Sequence, residues 1–347
     1  MSITVVRPGL LTTIQDHGRL GYQKYGVLQS GSMDTGAARA ANLLVGNEEH
    51  EALLEVTFDG AEWLIGEDML LSVCGAAMTI TVDGEPLPLW RPVLVRAGAA
   101  FKFEACLSGC RAYVAVAGGL DVPIVMGSRS TYLRGAVGGY EGRALKSGDV
   151  LSARPPQLLS KRILSLLQGQ RDKRFSAPLW HAGHFAIASN MVDSIVRVMP
   201  GSHFGLLEIE SRKAFFHQTY SISMQSDRMG CRLEGTEKLI LIPHNELLSE
   251  PVAHGTVQLP ANGNPIVLLA DRQTTGGYPR IAQVAAVDIP IFAQLKPGDR
   301  FRFEAITHKD AEQLYMNSEQ DIQMLKTAIA LRVNEEAGKL GRFGKKE

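Results

Sequence analysis

Short apolar or alternating runs, broken by glycine or proline every 8–12 residues, limit this chain's fold more than any other feature. "LEVTF", "LLSVCGAAMTITVDG", "PVLVRAG", "FKFEAC", "RAYVAVAGG", "YSISMQ", "PIVLLAD" and "FRFEAI" have strand length and strand chemistry. Thirty-five glycines and 16 prolines punctuate them. This cadence predicts sandwiches or barrels rather than a helix-wrapped parallel sheet. In "MTITVDGEPLPL", Asp83-Gly84 separates two such runs and reads as a two-residue hairpin turn, because both positions tolerate positive φ.

Two segments depart from the pattern. "MDTGAARAANLLVGN" reads as a helix that Asp34 can cap and Gly46 can end, with Ala38, Ala41, Leu44 and Val45 along one stripe. From about Lys309 to Arg342 the chain again reads as helical, with Leu314, Ile322, Leu325 and Ile329 set among charges. A weaker echo joins "RAGAAFKFEA" (96–105) to "LKPGDRFRFEA" (295–305), each a glycine turn feeding Phe-basic-Phe-Glu-Ala, and "LKSGDVLSA" (145–153) repeats the turn. With 347 residues, the echo points to two related β-barrel domains, and the polar, basic stretch 152–174 is the expected linker.

Composition excludes several classes. Charge is balanced, 36 basic against 36 acidic residues, so no electrostatic footprint for nucleic acid or an anionic membrane exists. No run approaches the roughly 18 apolar residues of a membrane span, and the N-terminus lacks signal-peptide features. Four cysteines, Cys74, Cys106, Cys110 and Cys231, are too few for a disulfide framework. The expectation is a cytoplasmic protein with reduced thiols.

Four polar clusters carry functional groups. The first holds Gln15, Asp16, Arg19, Ser30 and Asp34; the second, "GSRSTYLRGAVGGYEGR", holds Ser128, Arg129, Ser130, Thr131, Arg134 and Arg143. "SDRMGCRLEG" offers Ser226, Asp227 and Arg228, and "DRQTTGGYP" offers Asp271, Gln273, Thr274, Thr275, Gly276, Gly277 and Tyr278. Each mixes fixed donors and acceptors with glycines that let backbone approach a ligand, and arginine forks suit carboxylates. Bland readings stand beside these: a helix cap for Asp34, a surface ion pair for Asp227 and Arg228, a positive-φ turn at Gly276-Gly277, and an outward strand position for Glu55. His181-x-x-His184 has metal-like spacing without a further ligand of recognisable spacing, so no metal is expected. "RGAVGGYEGR" lacks the Gly-Lys-Ser/Thr of a phosphate loop.

Taken in order from about residue 3 to 305, "PGLLTTIQDHGRLGYQKYGVLQSGSMD", "AANLLVGN", "GSRSTYLRGAVGGYEGRALKSGD", "SDRMGCRLEG" and "PIVLLADRQTTGGYPRIAQV" resemble the KipA family. That family is also known as the C subunit of 5-oxoprolinase (PxpC), or as allophanate hydrolase subunit 2-like, and is related to the carboxyltransferase region of urea carboxylase. The resemblance implies a mainly β chain of two cyclophilin-like barrels, residues 1–155 and 175–308, with a few short helices and a helical charged tail, 309–347. It implies a subunit of an ATP-dependent 5-oxoprolinase, opening 5-oxo-L-proline to L-glutamate with PxpA- and PxpB/KipI-type partners. ATP then belongs to the assembled complex, none is assigned to this chain, and the isolated chain is expected to be inactive. Alternatives are a regulatory antagonist of a KipI-like histidine-kinase inhibitor and a biotin-dependent carboxyltransferase module; no biotin attachment segment occurs here.

On this resemblance Asp271, Gln273 and Arg228 are the expected catalytic residues. Substrate binding is expected from Arg129, Ser130, Arg134, Asp227, Thr274, Thr275, Gly276, Gly277, Tyr278, Gln15, Asp16, Arg19, Asp34 and Asn42. The arginines would grip a carboxylate or phosphorylated intermediate, and Asp271, Gln273 and Thr274 would orient an amide or a water. Loss of Arg228 or Gln273 is expected to cut activity while sparing the fold.

Overall fold

A computed structural model describes residues 1–169, 173–183, 194–243 and 247–343. The fold is mainly β, and the chain divides into two compact units. Unit 1 comprises Met1–Gly18, Thr35–Ser189 and Glu319–Glu347; unit 2 comprises Arg19–Asp34 and Asn190–Ser318. No helix of the described residues is long and apolar enough to cross a membrane.

Unit 1 contains β1 (Ser2–Pro8), β2 (Leu11–Gln15), α1 (Thr35–Leu44), β3 (Leu53–Thr57), β4 (Ala61–Ile65), β5 (Met69–Val82) and β6 (Glu85–Pro86). There follow β7 (Pro92–Val95), β8 (Ala100–Val116), β9 (Val150–Ser152), α2 (Leu158–Leu167) and β10 (Phe175–Ser176). One sheet runs β10-β7-β5-β8-β4-β1-β9, with β2 and β3 added at β8 and β6 at β5; its path is open. Period-2 alternation gives both faces a core. Along β8, Ala112, Val114 and Val116 join Trp63, Phe101 and Phe103 in one core cluster, while Tyr113 and Ala115, with Ala117 just past the strand, share a second cluster with residues of α1 and α2.

Asp83 and Gly84 have φ of 50° and 86° and connect Val82 to its partner Glu85, so the hairpin follows its sequence signal. Helix α1 covers the expected segment, and Gly46 follows it at φ 76°. The runs "FKFEAC" and "RAYVAVAGG" are not separate strands. They join in β8, because register shifts against β5 near Ala77 absorb the intervening glycine as bulges. The stretch 152–174 is likewise no bare linker: it carries α2, whose Ile163 is buried in the core of unit 1.

Unit 2 contains β11 (Ser194–Pro200), α3 (Ile209–His217), β12 (Tyr220–Ile222), β13 (Gly230–Gly235), β14 (Glu250–Pro251), β15 (Thr256–Gln258) and β16 (Ile266–Leu268). It continues with β17 (Thr275–Gly276), β18 (Arg280–Val284), α4 (Ile289–Gln294) and β19 (Arg300–Ala305). A closed barrel runs β11-β18-β15-β16-β13-β12-β19, and β11 returns to β19 in parallel. Its interior is aromatic: Phe215 stacks on Phe303 at 4.8 Å, and Phe301 meets Phe292 edge-on at 5.2 Å. Helix α5 (His308–Phe343) forms the expected tail; its Ile322, Leu325, Ile329 and Val333 are buried in unit 1.

The repeated turn is real in three dimensions. Gly98, Gly148 and Gly298 have φ of 79°, 90° and 89°. Their N–H groups donate to Ile65 O, Val5 O and Ile222 O respectively. Each lies just before a strand, β8, β9 and β19 in turn.

Candidate functional site

In unit 1 the first two motif clusters are stitched together. The Asp16 carboxylate accepts hydrogen bonds from Ser128 Oγ at 2.6 Å, Ser130 Oγ at 2.5 Å, Arg129 N at 2.5 Å and Gly18 N at 2.8 Å. Asp16 N donates back to Ser130 Oγ, and Thr131 N and Oγ both donate to Ile14 O. Gln15 Nε2 donates to Thr13 Oγ and more weakly to Thr131 O. Asp16 is thus the hub that shapes the Ser128–Thr131 loop, with its lone pairs occupied. Arg129 Nε donates to Val122 O, and its guanidinium lies 3.9 Å from Glu51, which also pairs with Arg154. Arg134 is exposed. Asn42 closes backbone, donating to Glu51 O at 2.9 Å while accepting from Asn47.

Unit 2 gathers the remaining clusters at one end of a strand pair. Gly230 opens β13 opposite Leu268, which ends β16, so "SDRM" and "ADRQT" leave the barrel side by side. Two backbone bonds continue the ladder beyond the strands, Leu269 N to Met229 O and Asp271 N to Arg228 O. Asp227 Oδ1 accepts from Met229 N and Gly230 N, a turn that presents Arg228. Arg228 then forms a buried pair with Asp271: Nε donates to Oδ2 at 2.9 Å and Nη2 to Oδ1 at 3.3 Å, with side chains 6% and 7% exposed. Its Nη2 also donates to Gly31 O at 2.6 Å. Such a pair is expensive to break, because either partner alone is left as a buried charge. This burial argues against the expectation that Arg228 can be lost without harm to the fold.

The opening of "DRQTTGGYP" is therefore structural as well as polar. Gln273 Nε2 donates to Gln258 Oε1 at 3.3 Å, and Gln23 Nε2 donates to Thr274 O and Val252 O. Thr275–Gly276 is a short strand paired with Glu250–Pro251, so the motif is not a single turn. Neither Gly276 nor Gly277 adopts positive φ. Gly276 is required for space instead: a Cβ there would lie 2.4 Å from Gln258 Nε2. Tyr278 is 52% exposed. Asp34 accepts from Gln294 Nε2 at 2.9 Å, and Arg19, 2% exposed, donates its N–H to Gln29 O.

Three residues here carry no strong motif signal. Arg272 is 6% exposed; its Nη2 donates to Gln29 Oε1 at 3.0 Å and Nη1 reaches Leu269 O at 3.4 Å. No carboxylate among the described residues pairs with it, and burial pulls its pKa down to about 10. His254 is pushed down to about 3, first by burial, then by the charges of Arg272 and Arg228, so its imidazole is neutral near pH 7. Gln29 is the third. The sequence hides this group because Gln29 lies more than two hundred residues from His254 and Arg272.

Among the described residues no group of three or more His, Cys, Asp or Glu side chains is arranged to hold a metal. His184 lies outside them. All four cysteines are free thiols.

Comparison with known proteins adds a family to this geometry. Residues 25–305 match the carboxyltransferase domain, subdomain A and B. The chain is 36% identical to the C subunit of 5-oxoprolinase from Escherichia coli over 96% of its own length and 99% of the relative's. It is 34% identical to the Haemophilus influenzae protein of the same name, over 88% and 92%. A crystal structure of the K. lactis urea amidolyase superposes with a TM-score of 0.80 at 28% identity, covering 93% of this chain but 20% of that one. The chain belongs to the carboxyltransferase domain family, subdomains A and B.

Proposed function

We propose that this chain is the C subunit of an ATP-dependent 5-oxoprolinase, opening 5-oxo-L-proline to L-glutamate with PxpA- and PxpB/KipI-type partners. The observation that carries this reading is the 36% identity to the C subunit of the E. coli 5-oxoprolinase across almost the whole of both chains. A lactam is a resonance-stabilised amide, and its opening gains from phosphorylation of the carbonyl oxygen by ATP. ATP is a reactant of the assembly and is assigned to no residue of this chain. The substrate presents a carboxylate and a planar amide. Unit 2 offers matching groups in the Arg228–Asp271 pair, Arg272 and the Gln273 side-chain amide, held at one end of a barrel.

The test is ATP-dependent glutamate release from 5-oxoproline by the purified chain, alone and reconstituted with both partner types. Release only by the full set supports the proposal. Turnover by the chain alone, or none by a stably assembled set, overturns it. A second reading, carboxyl transfer from a biotin carried on another chain, is favoured by the likeness to urea amidolyase. It requires labelled bicarbonate to enter an amide product, which a hydrolase does not produce.

A further inference from the structure

Arg272 Nε, His254 Nε2 and Ser30 Oγ are buried polar atoms with no hydrogen-bond partner among the described residues. Hydrogen bonds of their neighbours draw them to one place. Gln29 Oε1 accepts from Arg272 and Gly31 O accepts from Arg228, so the two residues flanking Ser30 each hold an arginine. Gly255 N donates to Leu268 O, which anchors His254 beside the turn that carries Arg272. Ser30 is 4% exposed and, although not glycine, sits at φ 56°.

A buried guanidinium without a carboxylate, bonded to the residue before an unpartnered hydroxyl and acting by its charge on a buried neutral imidazole, is costly unless something supplies acceptors. Arg228 does not have this need, since Asp271 faces it. What the second arginine lacks is an anion. Water could accept from these donors but brings no charge, whereas an oxyanion accepts from all three and neutralises the guanidinium.

We propose that Arg272, Ser30 and His254 form a receptor for a small oxyanion, either a carboxylate or a phosphoryl group. Arg272 supplies the charge and a directed N–H, Ser30 a hydroxyl donor, and His254 a neutral imidazole that donates in the tautomer protonated at Nε2. Gln29 orients Arg272 and is a positioning residue. Binding of this kind does not depend on the reaction proposed above.

The experiment uses the full chain and two probes, inorganic phosphate and 5-oxoproline, with the neutral lactam 2-pyrrolidinone as control. Binding is read by calorimetry and by the rise in Tm. One or both oxyanions should bind the wild type, and 2-pyrrolidinone should not. Arg272→Gln should weaken that binding at least tenfold. Ser30→Gly, which keeps the positive φ while removing the hydroxyl, should weaken it severalfold and protects the test if Arg272→Gln folds poorly. Preference for phosphate or 5-oxoproline identifies the source of the anion. The proposal fails if neither oxyanion binds, or if either folded variant binds as well as the wild type. An inactive but intact three-subunit assembly would count against the 5-oxoprolinase reading and leave this binding result standing.

Discussion

Asp16 in unit 1 and Arg272 in unit 2 are both buried charges at the ends of barrel-type strands, 8% and 6% exposed, and they are treated in opposite ways. Asp16 is surrounded by donors: two hydroxyls and two backbone N–H groups converge on one carboxylate. Arg272 has one good acceptor, Gln29, and no counter-charge among the described residues. The first arrangement is complete and explains a loop. The second is incomplete and points to something the chain does not contain. Polar density in a motif is therefore a poor guide to function; unsatisfied polarity is a better one.

That contrast breaks most visibly if the satisfied charges are not structural. Arg228→Ala should cost about 3–5 kcal/mol of stability, because it leaves Asp271 as a buried unpaired carboxylate. Asp16→Ala should cost at least about 3 kcal/mol through its orphaned donors, each worth about 1–3 kcal/mol. Denaturant unfolding of the full chain measures both, and a loss under about 1 kcal/mol would remove either residue from the framework of the fold.

Acid should expose a second difference. His254 is depressed from 6.5 to about 3, so the unfolded chain takes up a proton that the folded chain refuses. Its contribution is fully present above pH 6.5 and is lost as pH falls toward 3, with a slope of up to about 1.4 kcal/mol per pH unit. His254→Gln should flatten that part of the stability profile. His17 of unit 1 is also lowered, by burial and then Arg39, and contributes with the same sign. A profile unchanged by His254→Gln would mean that its ring is hydrated.

The recurrent turn predicts equality between the units. A Cβ at Gly98, Gly148 or Gly298 would meet nothing within 4 Å, so only the positive φ opposes a side chain. Alanine at each should cost about 1–2 kcal/mol, and the three losses should agree. A much larger loss at one of them would mark a contact that the other two turns lack.

The smallest expected effect has the opposite sign. Arg272→Met keeps the volume and removes an uncompensated buried charge, so without added anion it should be neutral or stabilising by up to about 1 kcal/mol. Set beside Arg228→Ala, this makes two arginines of one site respond in opposite directions. If Arg272→Met destabilises as Arg228→Ala does, Arg272 has a partner and the contrast collapses.

Much of the fold was legible because it rests on local chemistry. Asp83-Gly84 forms its turn from φ preference alone, and the stripe Ile322, Leu325 and Ile329 marks the buried face of α5. The motif turns at Asp227–Arg228 and Asp271 were legible as polar clusters next to strands. What sequence could not show was partner choice. Arg228 and Arg272 both follow an aspartate, yet tertiary packing gives one a carboxylate and the other a glutamine. His254, in "PVAHGTVQ", reads as an isolated polar residue, and only its neighbours give it meaning. The segment Arg19–Asp34 belongs to unit 2 although it lies between pieces of unit 1, and no local pattern encodes that assignment.

That early segment also fixes when the site can exist during synthesis. Gln29 leaves the ribosome 243 residues before its partner Arg272. At ~5–20 residues per second, roughly 10–50 s separate the two. Gly31 waits 197 residues for Arg228, and Gln29 still longer for Arg272. A piece made only of 175–308 would close much of a barrel yet lack Gln29, Ser30 and Gly31 altogether. The order of translation thus separates the two halves of the oxyanion receptor, so that it can form only after Arg272 has been made.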